Sequence, residues 1–327
     1  MTVKVLISSN ADNLESALRE EELAGKGTVT VEAEYGDRVV RGSCGTMAHH
    51  GPRGGVGSKC PCLYVAGDLG LVRPDYGETV VGISHIDLDT IGGLWAVFEA
   101  AGAFPHPKPD KPSAWPFWRA AAFVDLNGPH RADRTKETYL QLAAYWAFGR
   151  ENRVYPPRDG GVKDVTVDVV EHLHALHEIL TPGADRHDER MRAGANLIDA
   201  EAELETKSFR SAFRQKGGAP IVLFRESDRF VNHLYRHGDE VAAAVVGYNT
   251  DTGEVTVSFE AGDKSPISAR RFVQLLYGPE AGGHHGIAGS PRGGVIARDT
   301  LASVQHLLGD ILSVTATGKC ICGRCLS

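Results

Sequence analysis

Residues 82–93 read GISHIDLDTIGG and set His85, Asp87 and Asp89 at alternate positions after the apolar run ETVVGIS. In an extended segment, positions i, i+2 and i+4 share one face. The imidazole and the two carboxylates then point one way, and Ile86 and Leu88 the other. One nitrogen and two carboxylate oxygens form a ligand set suited to Mn²⁺, Mg²⁺ or Zn²⁺. Ionisable groups converging at a buried strand end repel one another unless a cation joins them. The plainer alternative is a solvated strand end at which Asp89 caps the next helix.

Three further segments carry chemistry. In FVDLNGPH, Asp125 closes an apolar run and His130 follows a Gly-Pro turn, so Asp125 is either a turn former or a bridging carboxylate. In TMAHHGPRGG, His49 and His50 are either inert on a Gly-rich loop or placed to complete a metal shell or polarise a phosphoryl group. Arg53 beside them could hold a phosphate oxygen. In YGPEAGGHHGIAGSPRGG, Gly283, His284, His285 and Arg292 lie in a glycine-rich stretch able to offer backbone N–H groups to an anion. Six cysteines fall in two places: Cys44, Cys60 and Cys62 in the first Gly-rich stretch, and Cys320, Cys322 and Cys325 at the end of the chain. They do not form a disulfide framework. They are either free thiols or ligands of a structural Zn²⁺.

The elements that must position these groups follow from the apolar pattern. VKVLISS (3–9), ETVVGIS (78–84) and RAAAFVDL (119–126) read as buried strands, and 28–42 as a hairpin around YGD. Residues 10–25, 91–104, 134–149 and 166–180 read as helices, and 43–62 as a loop without period. The resulting βαβ rhythm predicts an α/β fold with a parallel sheet, whose ligands bind past the carboxyl ends of the strands. The charged stretch 186–218 reads as a long helical connector. Beyond it, 219–226, 240–249 and 254–261 read as strands, the last two joined through TDTG, and 268–278 as a helix. The predicted organisation is a metal-binding catalytic domain over 1–185, a connector over 186–218 and a smaller α/β substrate-binding domain over 219–327.

With 327 residues, two cores are expected. The net charge of −7 excludes a generic nucleic-acid coat and long duplex partners. No apolar stretch is long enough for a membrane span, and the N-terminus reads as a first strand, so a cytoplasmic location is expected.

Taken together, ISHIDLDTIGGLWAVFEAAG and GEVTVSFEAGDKSPISARRFVQLLYGPEAGGHHGIAGSP resemble the DHH phosphoesterase superfamily with its DHH-associated C-terminal domain. The first stretch resembles the superfamily's His-x-Asp-x-Asp strand end, and the second its hairpin, helix and Gly-Gly-His. The chain departs from the pattern by having no Asp-His-His triplet. VDLNGPH stands where a second-motif Asp would be, and MAHH has two histidines without the acid and precedes the first motif.

The resemblance implies one or two Mn²⁺ ions, with Mg²⁺ as substitute, held by His85, Asp87, Asp89 and Asp125, with His49, His50 and His130 in catalytic roles. It also implies substrate-phosphate contacts through Gly283, His284 and Arg292. The expected activity is hydrolysis of small nucleotides or short oligonucleotides by a metal-activated water. Two alternatives stay open: a degenerate nucleotide sensor, and a zinc-dependent hydrolase or zinc-stabilised protein using the cysteines. A second copy of the chain stays open as a partner.

Overall fold

The computed structural model describes residues 2–35, 38–49, 59–69, 77–104, 114–215, 219–283, 285–291 and 293–317. The chain forms two compact units, Met1–Leu126 with Ala132–Ile198, and Asn127–Arg131 with Asp199–Ser327.

The first unit opens with β1 (Thr2–Ile7), α1 (Ala11–Leu23) and β2 (Gly27–Val31). A small hairpin, β3 (Glu34–Tyr35) and β4 (Arg38–Val39), precedes β5 (Gly45–Met47) and β6 (Glu78–Ile83). Helices α2 (Leu88–Ala100), α3 (Trp115–Asn127) and α4 (Glu137–Glu151) follow. Then come β7 (Lys163–Asp164), α5 (Thr166–Leu180) and α6 (His187–Ser208), the last running on into the second unit.

The sheet order is β5-β2-β6-β1-β7. Strands β5, β2, β6 and β1 are mutually parallel, and only β7 runs antiparallel to its neighbour. Val5, Ile7, Val29, Val31, Val81 and Ile83 are fully buried and pack with Ile91, Leu94, Trp95 and Trp118. Near-continuous apolar strands of this kind are expected where helices cover a parallel sheet. Since β2, β5 and β6 are parallel neighbours, residues 32, 49 and 84–89 all follow carboxyl ends on the same edge of the sheet.

The second unit carries β8 (Phe209–Phe213), β9 (Val222–Ser227), a small hairpin β10 (Arg236–His237) and β11 (Glu240–Val241), β12 (Ala244–Asn249) and β13 (Val255–Phe259). It ends with α7 (Ala269–Tyr277), β14 (Gly282–Gly283), β15 (Ile287–Gly289) and α8 (Leu301–Thr317). Its sheet runs β14-β15-β13-β12-β9-β8 and is antiparallel except for β12 beside β9. Phe272, Val273, Leu301, Leu308 and Leu312 bury against Val222, Val246 and Val257 of that sheet.

The α/β class expected from the sequence is the class found. Several elements differ in detail. The stretch 119–126 is helical, inside α3, and not a strand. Its buried residues Phe117, Trp118, Ala121 and Ala122 recur at helical spacing, which a short apolar run does not distinguish from a buried strand. Of the expected hairpin over 28–42, only β3 and β4 pair in that way, because β2 is a central parallel strand. The stretch 43–62 contains β5 and a 3-10 turn over Pro61–Leu63. Helix α6 ends at Ser208 and the chain continues directly as edge strand β8. Among the described residues no helix is long and apolar enough to cross a membrane.

Candidate metal centre

Four side chains of the first unit bring one potential ligand atom each within 4.8 Å of one another: His49, Cys60, Asp89 and Asp125. His49 lies two residues beyond β5, and Asp89 occupies the first turn of α2, the helix that follows β6. Asp125 comes from the last turn of α3, and Cys60 immediately precedes the 3-10 turn.

The imidazole faces more carboxylates than it can serve. His49 Nε2 lies 3.2 Å from Asp89 Oδ2, 3.3 Å from Asp125 Oδ2 and 3.7 Å from Glu32 Oε1. A ring nitrogen carries at most one proton, so it can donate to only one of these oxygens. Negative charge gathered in a buried place needs a cation. Burial disfavours the charged form of His49, but the Asp89 hydrogen bond and the charges of Asp89, Asp125 and Glu34 outweigh it and hold its pKa above the ordinary value. Asp89 Oδ2 faces His49 Nε2 at 3.2 Å, while Asp89 Oδ1 accepts from Cys62 N at 2.9 Å and from Cys60 Sγ at 2.6 Å.

Glu32, which sequence reasoning passed over, is 2% exposed and immediately follows β2. Burial, then the charges of Asp89, Glu34, Asp87 and Asp125, push its carboxyl up to about 10. Glu32 has φ 48°, the one positive φ among the described non-glycine residues. Its backbone is held on both sides: its N–H donates to Met47 O at 2.9 Å, and its carbonyl accepts from Ser84 Oγ. Side chains in this region of φ are strained, and such strain clusters at functional sites. The available signal was an acidic residue breaking the apolar alternation of TVTVEAEY at a strand end.

His85, Asp87 and Asp89 do not share one face as an extended segment would place them. Helix α2 begins at Leu88, so Asp87 is its N-cap and accepts from Thr90 N at 2.8 Å. The cap is therefore Asp87, not Asp89. His85 and Asp87, each about half exposed, pair with each other through Nε2 and Oδ2 at 3.1 Å, and Ser84 Oγ meets His85 Nδ1 at 2.8 Å. The Asp87 hydrogen bond outweighs burial and raises the His85 pKa, with Asp89 and Asp125 adding to the effect. Burial works against Asp87, yet His85 and the Thr90 N–H hold its pKa below the ordinary carboxylate range.

The remaining expectations fall elsewhere. His130 belongs to the second unit. There its Nε2 meets Glu260 Oε1 at 2.9 Å, and Arg131 also bonds that carboxylate. Gly283 lies in β14, where a Cβ would sit 2.5 Å from Ala288 Cα, so the tight strand pairing itself requires glycine. His285 Nε2 meets Ser265 O at 3.0 Å. Cys60 and Cys62 have their sulfurs 3.2 Å apart, whereas Cys44 stands by Ser43 and outside the four-residue group. His50, Arg53, His284, Arg292, Cys320, Cys322 and Cys325 lie outside the described residues.

No family model matches the sequence, and no curated protein matches it. Among solved structures, the chain is similar to a "pGpG-specific phosphodiesterase - PggH from Vibrio cholrae", at 11% identity and TM-score 0.38, over 95% of this chain and 99% of that one. It is also similar to an uncharacterized protein from Helicobacter pylori G27, at 11% identity and TM-score 0.21, over 73% of this chain and 76% of that one. Likenesses this loose carry no weight for function; the side chains around His49 do.

Proposed function

We propose that the chain is a divalent-metal-dependent phosphoesterase acting on small nucleotides or short oligonucleotides, as the resemblance to DHH phosphoesterases implies. One observation carries the metal: His49 Nε2 faces Asp89, Asp125 and Glu32 at 3.2–3.7 Å, an arrangement of one nitrogen and three carboxylates that a cation reconciles. Its place past the carboxyl ends of parallel strands is where open α/β sheets bind ligands. Taken without the nearby Cys60, these nitrogen and oxygen donors alone would suit the Mn²⁺ or Mg²⁺ expected from the sequence.

A bound divalent ion would supply a hydroxide nucleophile near neutral pH and neutralise charge on the phosphoryl group. His49, Asp89 and Asp125 would hold it, with Glu32 beside them. Asp125, the most open of the four clustered residues, is the one suited to be shared with a second ion. In that fuller reading His85 and Asp87 would hold the second ion. The N-terminal end of α2, which carries Asp89 in its first turn, favours an anionic ligand. Phosphate contacts by Arg53, Gly283, His284, His285 and Arg292, and a catalytic role for His50, belong to the same proposal.

The test is turnover of a linear dinucleotide, a cyclic dinucleotide and a nucleoside monophosphate with Mn²⁺, and again after chelation. Metal-dependent ester cleavage of at least one supports the reading. A protein that holds its ion and binds a nucleotide yet cleaves none of them is a sensor instead.

A further inference from the structure

We propose that Cys60 is a thiolate ligand of this centre, and that the centre therefore takes a thiophilic divalent cation, of the zinc, iron(II) or cobalt(II) class, ahead of Mg²⁺ and Mn²⁺. The proposal rests on the metal in the reading above, and not on the hydrolysis.

Cys60 is 3% exposed, and its sulfur falls within 4.8 Å of the ligand atoms of His49, Asp89 and Asp125. A buried free cysteine ordinarily behaves as a small hydrophobe among apolar neighbours. This one is set against a carboxylate, with Sγ 2.6 Å from Asp89 Oδ1. The same Asp89 turns its buried Oδ2, 3.2 Å from His49 Nε2, toward the centre. One thiol, one imidazole and two carboxylates directed at one point make a mixed S/N/O donor set. Thiolate donors select zinc and its soft neighbours, whereas Mg²⁺ and Mn²⁺ prefer sets of oxygen with nitrogen.

The local fold is built to bring that sulfur in. Pro61 opens the 3-10 turn and fixes the chain just after Cys60. The N–H of Cys62 then donates to Asp89 Oδ1 at 2.9 Å, tying the turn to the first turn of α2. The turn closes this tightly only because α2 has Gly92 and Gly93 at the contact. A Cβ on Gly92 would lie 2.4 Å from Cys62 Cβ, and one on Gly93 3.1 Å from Pro61 Cβ. Glycine is less favourable than alanine inside a helix, so both positions are kept for this contact. Cys62 serves as a positioning residue: its sulfur lies 3.2 Å from Cys60 Sγ and 3.7 Å from Trp118 O, outside the four-residue group.

The test uses the full chain with Cys44, Cys320, Cys322 and Cys325 all changed to serine, which leaves only Cys60 and Cys62 as thiols. This protein is loaded with Co²⁺ and with Zn²⁺. We expect a thiolate-to-cobalt charge-transfer band in the near ultraviolet, and in X-ray absorption a sulfur neighbour at about 2.3 Å from zinc. Adding Cys60→Ser removes both and shifts the Zn²⁺-over-Mn²⁺ binding ratio toward Mn²⁺ by about tenfold or more. Metal bound without a sulfur neighbour overturns the proposal, even if the Cys60→Ser protein fails to fold. So does a band that survives Cys60→Ser. Ester cleavage is measured on the same samples. Sulfur ligation without cleavage refutes the phosphoesterase reading alone, and cleavage without sulfur ligation refutes this inference alone.

Discussion

His49 Nε2 and Asp89 Oδ2 stand 3.2 Å apart with both side chains almost wholly buried, although forty positions separate them in the chain. The parallel pairing of β5, β2 and β6 brings their two loops to one edge of the sheet. A His–Asp contact alone would be an ordinary ion pair. Here Asp125 faces the same nitrogen, so the two aspartates carry more negative charge than one imidazole neutralises, and Glu32 beside them is held protonated.

That imbalance sets the pH response of the metal-free protein. The Glu32 carboxyl is raised from 4.5 to about 10, so its contribution to stability is complete below 4.5 and is lost as the pH climbs toward 10. The raised pKa values of His49 and His85 act in the same direction: their contributions are complete below 6.5 and lost as the pH passes their folded-state values. Asp87 runs the other way, since its lowered pKa costs stability only as the pH falls through that depressed value. In chelator, the melting temperature is therefore expected to fall between about pH 5.5 and about pH 8.5. Saturating divalent metal should flatten or reverse the slope, and Glu32→Gln should weaken it. A metal-free melting temperature that rises over this range contradicts the charge assignment.

Gly92→Ala tests the close approach of the cysteine turn. Propensity alone would stabilise α2 by about 1 kcal/mol. The added methyl would instead meet Cys62 Cβ at 2.4 Å and Trp118 Cζ3 at 2.8 Å. Overpacking of this kind costs about 1–3 kcal/mol, so we expect net destabilisation in urea melts together with weaker metal binding. Gly149→Ala, in α4 with open space around its Cβ position, should be neutral or stabilising. Equal effects from the two substitutions would show that the turn does not depend on Gly92.

His130 gives a stability readout. It is 5% exposed, its ring meets Glu260, and its carbonyl accepts from Arg236 Nε at 3.0 Å. His130→Ala should cost about 1–3 kcal/mol through the buried partner it leaves behind, with metal affinity unchanged. A stable His130→Ala protein with reduced turnover would return His130 to the catalytic role expected from the sequence.

Much of the fold was legible because apolar runs report buried strands directly: VKVLI became β1 and ETVVGI became β6. RAAAFVDL misled because a short alanine-rich apolar run fits a buried helix as well as a strand. In the site, Asp89 and Asp125 stood out by type and by position at the ends of apolar runs, and His49 by its place beside His50 in a Gly-rich stretch. Their grouping did not, because it depends on where α2 starts. Helix onset at Leu88 turns Asp87 outward as a cap and Asp89 inward, breaking the simple alternation with His85. Cys60 was read as a free thiol or a structural Zn²⁺ ligand, not as a neighbour of Asp89. Glu32 was hidden because nothing in its local pattern announces a positive φ or a partner seventeen residues away.

The central claim is that the His49–Asp89–Asp125 group holds a divalent ion and that this ion drives phosphoester cleavage. Bound-metal stoichiometry and dinucleotide cleavage, measured on the same preparations of wild-type and Asp89→Asn protein, test it most directly. We expect at least one tightly held ion per wild-type chain and cleavage abolished by chelation. For a folded Asp89→Asn protein we expect metal affinity lower by about 100-fold or more, as loss of a ligand should cost at least as much as loss of an outer-shell partner, with cleavage lost in step. An Asp89→Asn protein that keeps its ion and cleaves at the wild-type rate would contradict the account.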